Sequence, residues 1–114
     1  MVKIRDDSSS EIVHELLDLI KSDKVDEFQK KRLCDIVIGL NKRTEMQKQR
    51  FIMFYKLDVS QIKDYSLTDL AREFNCTPSA IKFSLSAITR TLVNISDDKF
   101  QIIKDIYEQC KKTK

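Results

Sequence analysis

The chain has 114 residues, 41% of them apolar and 34% charged, and a formal net charge of +3. That length suits one domain with a modest core, and the composition is too apolar for a disordered chain. A single glycine argues against a β-rich fold, no apolar run approaches the roughly 20 residues that span a bilayer, and the opening MVKIRDDSSS lacks a signal peptide's hydrophobic segment, so a cytoplasmic protein is expected.

Ser8 and Glu11 have capping-box spacing ahead of Ile12, Val13, Leu16, Leu17 and Ile20, which predicts a first helix of about three to four turns. Phe28, Leu33, Ile36, Val37 and Leu40 are assigned to one face of a second helix. Asn41, Lys42 and Arg43 interrupt, and Thr44 with Gln47 then boxes a third helix carrying Met46, Phe51, Phe54 and Tyr55. The stretch LDVSQIKDY reads as a loop in which Leu57, Val59, Ile62 and Tyr65 are expected to be pinned to the core. Ser66 and Asp69 box a fourth helix whose inner face is Leu67, Leu70, Ala71 and Phe74. Thr77-Pro78, a cap residue followed by proline at the first helical position, opens a fifth with the stripe Ile81, Leu85, Ile88 and Leu92. The last helix starts at Ser96 and buries Phe100, Ile103, Ile106 and Tyr107, and the tail Lys111 to Lys114 is expected to fray. No strand or repeat is legible. The fold class is therefore all-α, a compact domain of about six helices, with an N-terminal extension (1–40), a central unit (41–95) and a C-terminal helix with a basic tail (96–114).

The fourth and fifth helices are short and separated by about two residues, which favours crossing helices, the helix-turn-helix arrangement. Ala71 lets the next helix approach closely. Asn75 sits where the chain reverses, and Asn tolerates the left-handed conformation. Cys76 tucks inward as an apolar plug. The angle exposes Thr77, Ser79, Lys82, Phe83, Ser86, Thr89 and Arg90, a small, hydroxyl-rich and cationic face with no carboxylate from Asn75 through Ser96. Phosphates repel carboxylates, and a major groove admits a helix with short polar side chains. Free N–H groups at the helix start would suit a phosphate.

From Ser66 to Leu92 the sequence resembles region four of bacterial sigma factors, especially the extracytoplasmic-function type. Leu70-Ala71 stands at the family's Ile-Ala, Ile81-Lys82 at its Val-Lys, and Leu85 and Leu92 at its two leucines. Gln47, Arg50 and Tyr55 are in step with the family's preceding helix. The resemblance covers about residues 40 to 93. It implies a transcription regulator or sigma-like factor that binds duplex DNA. Thr77 and Ser79 would contact phosphate, Lys82 and Arg90 phosphate or bases, and Ser86 base edges, with Lys48 and Arg50 clamping the neighbouring strand. The helix beginning near Thr44 would touch RNA polymerase core, and a separate subunit carrying region two is a further implied partner. Asn75 replaces the family's turn glycine, Ser84 and Ala87 stand at two of its basic positions, and Phe83 puts a ring where a small polar residue is usual. Fewer cations imply fewer phosphate contacts. Nothing resembles region two, the promoter-melting part.

Two readings of Phe83 stay open: partial burial against the first or last helix, or contact with a thymine methyl or a partner protein. The alternative function is a protein adaptor of the same fold that binds polymerase, a sigma subunit or a ribonucleoprotein without reading DNA. Cys34, Cys76 and Cys110 have neither disulfide-framework nor metal-knuckle spacing and read as small buried hydrophobes. His14 is assigned no role. No Ser-His-Asp spacing, phosphate-cradling glycine loop or HExxH occurs, so no enzyme, metal or cofactor is expected.

Overall fold

Six α-helices make up the computed structural model, which describes residues 7–22, 24–40, 44–93 and 97–112. They are α1 (Asp7–Lys21), α2 (Glu27–Ile38), α3 (Glu45–Phe54), α4 (Leu67–Glu73), α5 (Pro78–Val93) and α6 (Asp97–Lys112). No strand occurs among the described residues, so the chain is all-α. The expected roles of Asn41 to Arg43, Ser96, the Phe100 side chain and the last two residues fall outside the described residues.

α5 is the hub. α1, α3 and α4 all pack on it, α6 lies against α1, and α2 bridges α3 and α6. Each helix contributes to one apolar cluster, with Leu16, Leu17, Leu33, Phe51, Leu70, Ile81, Ile88, Leu92, Ile103 and Ile106 fully enclosed. Removing such side chains from water is the main favourable contribution to folding.

Local chemistry sets the helix boundaries. Thr44 accepts the Gln47 N–H at 3.1 Å to start α3, and Ser66 and Asp69 exchange both bonds of a box at 3.1 Å to start α4. Those bonds hold the Asp69 carboxyl below its ordinary range. A further box, Asp26 with Gln29, caps α2. Its glutamine is buried and donates to Gln109 at 3.1 Å, which ties α2 to α6. α1 begins at Asp7, so Ser8 lies inside its first turn rather than at its cap.

Three apolar assignments, Phe28, Val59 and Ile62, are corrected, and Met46 on the third helix is also open to solvent. Phe28 is 67% exposed, with the Arg32 guanidinium 5.7 Å from its ring, and Met46 is 52% exposed. Each lies five residues before a buried residue, Leu33 and Phe51, and five residues is about 140° around a helix. Val59 and Ile62 are also exposed. The loop is held instead by Leu57, by half-buried Tyr65, and by the Gln61 amide donating to the Met53 and Lys63 carbonyls at 3.0 and 2.8 Å. Lys21 adds a clasp from α1, donating to the Tyr65 carbonyl at 3.4 Å with its ammonium 4.1 Å above Phe54.

Candidate nucleic-acid interface

The turn between α4 and α5 is built without glycine. Phe74 ends α4 and Thr77 caps α5, leaving only Asn75 and Cys76 between them. Asn75 has φ 57°, the left-handed conformation its side chain tolerates. Its N–H reaches the Arg72 carbonyl at 3.3 Å and that of Cys76 reaches Ala71 at 2.8 Å, the two bonds of a Schellman motif. α3 ends the same way, with Lys56 at φ 53° and the Leu57 N–H on Ile52 at 3.0 Å. Cys76 is half-buried against the core, and Ala71 is buried where α4 lies on α5.

Beyond that turn, Thr77, Ser79, Lys82, Phe83, Ser86 and Arg90 are all exposed. From Ser79 to Arg90 they form one stripe along α5, because steps of three and four residues return to the same side of a helix. No acid stands in the first turn of α5, and Arg90 lies in its last. The Thr77 oxygen accepts the Ala80 N–H at 3.2 Å, which leaves the hydroxyl proton for a further acceptor. Fewer backbone donors are free than expected, because Pro78 has no N–H and that of Ala80 is taken.

The stripe narrows along the helix. Thr89, expected on the outer face, is 5% exposed, and Ser84 and Ala87 are equally enclosed. A cation at either of those two positions would point into protein, so their small side chains reflect close packing rather than lost phosphate contacts. Past Phe83 only Ser86 and Arg90 remain exposed on α5.

Two expected DNA contacts turn inward. Lys48 is 7% exposed, donates to the Ile38 carbonyl at 3.2 Å and pairs with Glu45 at 3.4 Å. Arg50 is 9% exposed. Its Nη1 donates to the Ser84 hydroxyl at 2.9 Å, its Nη2 lies 3.1 Å from the Met46 sulfur, and its guanidinium sits 4.9 Å from the Phe74 ring centre. Its Nε has no hydrogen-bond partner. Arg50 is thus a strut joining α3, α4 and α5, not a clamp on a neighbouring strand. One surface cation escaped the sequence reading: Arg72, in the last turn of α4, is well exposed and lies 3.6 Å from Asp69.

Away from α5, a groove of about 350 Å³ runs between α2, α3 and the following loop, lined by Cys34, Ile38, Lys48, Ile52, Met53 and Gln61. Burial, reinforced by Asp58 and Asp35, pushes the Cys34 thiol up, so it stays neutral and a poor nucleophile. Tyr55 is pushed up to about 12 by burial and Asp18. No metal-ligating cluster occurs among the described residues, and no described helix is long and apolar enough to cross a membrane. No protein-family model, curated protein or solved structure matches the chain.

Proposed function

We propose that this chain binds duplex DNA, with α4 and α5 acting as a helix-turn-helix and the open half of α5 entering the major groove. The observation that carries the reading is the exposed, acid-free stripe of Ser79, Lys82, Phe83, Ser86 and Arg90 beyond the Thr77 cap. Recognition helices contact base edges chiefly through their N-terminal residues, and the N-terminal half of α5 is the less enclosed one. Lys82 and Arg90 supply charge for phosphate, joined by Arg72 where α4 would cross the backbone. The resemblance to sigma region four supports a role in transcription, as a regulator or as a sigma-like factor working with RNA polymerase and a separate subunit for melting.

A protein adaptor is the second reading. It is favoured by the loop after α3, where Ile62 is 91% exposed and the preceding Gln61 lines the groove with Ile38, Ile52 and Met53. A mobility-shift titration with random duplex at several salt concentrations separates the two. Two to four phosphate contacts give a slope of log K against log salt of about −2 to −3.5. A flat response, or no shift at low salt, supports the adaptor.

A further inference from the structure

Phe83 is the residue whose position the sequence leaves open, and the geometry settles one half of that question. The ring is 66% exposed, so it is not buried against α1 or α6. Three other rings have a cation beside them, Arg32 at Phe28, Lys21 at Phe54 and Arg50 at Phe74, although Phe28 stays as exposed as Phe83. Among the described residues no cation or ring is stacked on Phe83. A ring left two-thirds in water gains free energy from any apolar surface that covers it.

Its neighbours indicate what that surface is. Ser79 lies one turn before Phe83 on the same stripe, Ser86 one turn after and Arg90 two turns after, with Lys82 beside it. Serine hydroxyls both donate and accept and therefore discriminate weakly among bases, while phosphate contacts carry no sequence information. In the major groove the one apolar group that a base pair presents is the C5 methyl of thymine. Resting on the DNA-binding reading above, we infer that Phe83 is the specificity-determining residue of α5 and packs on a thymine methyl. The ring selects thymine because an unmethylated pyrimidine at that position leaves it uncovered, and a purine puts polar edge atoms against it.

The test pairs a protein change with a DNA change. A duplex is selected from a random pool with the wild-type chain, and each thymine is then replaced singly by deoxyuridine, which deletes the methyl and keeps the pairing. At one or two positions the replacement weakens wild-type binding about fourfold, the worth of one buried methyl group. Phe83→Ala, which melts like the wild type because the ring is exposed, binds the two duplexes equally at those positions. Its salt slope is unchanged, because the ring touches no phosphate. A deoxyuridine penalty of equal size in both proteins overturns the inference, as does no penalty in the wild type. Phe83→Ala that selects and binds the same duplex as the wild type assigns the ring to a protein partner and equally overturns it. Failure of the wild-type chain to bind any selected duplex removes the DNA-binding reading itself, an outcome distinct from the others.

Discussion

On α5, Ser84 and Ser86 stand two residues and about 200° apart. Ser84 is 2% exposed and receives the Arg50 guanidinium, whereas Ser86 is open to solvent between Phe83 and Arg90. The same residue type serves close packing on one face and a candidate contact surface on the other. Small polar residues on a helix therefore do not by themselves mark a groove-facing side; the helices packed around them decide. The comparison also explains why the exposed stripe is narrow. α1, α3 and α4 all use α5 as their packing partner, so only a few positions are left over for a ligand.

Arginine at the two serines breaks the comparison most severely. Ser84→Arg sets a second guanidinium against Arg50 in the interior and should cost on the order of 4 kcal/mol, as uncompensated buried charges do. For a domain this small that is a large share of its stability, and the urea midpoint should fall steeply. Ser86→Arg should leave the unfolding free energy within about 0.5 kcal/mol of wild type. It should also tighten DNA binding and steepen the salt slope by about one unit. Similar urea midpoints for the two variants would refute the assignment of the faces.

Arg50→Ala is the next largest effect. It removes a charged hydrogen bond to Ser84 and the stacking over Phe74, and should cost about 2 kcal/mol in chemical unfolding. The salt slope of DNA binding should not change, since the side chain is committed to the protein interior. A changed slope with unchanged stability would return Arg50 to the DNA.

The turns supply the smallest effect. Lys56 holds a left-handed conformation with a side chain that does nothing locally to favour it, so Lys56→Gly should raise stability by about 0.5–1 kcal/mol. The ion pair that it loses, with the exposed Asp64 carboxylate, is worth little. Asn75→Gly should gain less, because Asn already tolerates that region. Neither change should alter DNA binding, and equal gains at the two sites would contradict the strain argument.

Much of this fold was legible because caps and 3.6-residue periodicity are local signals. Thr44, Ser66 and Thr77 start their helices, Asn75 turns left-handed, and the stripe from Ile81 to Leu92 is buried. Errors arose where locality fails. Phe28 shares hydrophobicity but not a face with Leu33 five positions on, and Met46 stands likewise to Phe51. Val59 and Ile62 sit in a loop, where no period constrains which side is inside. The resemblance puts Lys48 and Arg50 on the surface, yet their long apolar stems let the head groups reach a carbonyl and a hydroxyl inside the fold. Gln29 is not legible for a different reason: its partner Gln109 lies on α6, and only tertiary packing brings them together.

The central claim is that the exposed stripe of α5, and not its buried face, meets DNA. Lys82→Ala/Arg90→Ala tests it most directly, with thermal melting and a mobility-shift titration run on the same preparation. The account predicts melting close to wild type, since exposed substitutions usually stay within about 0.5 kcal/mol each. It further predicts weakened binding and a salt slope smaller by about two units. A double variant that folds and binds DNA as the wild type does, with the same salt slope, would show that α5 is not the recognition helix.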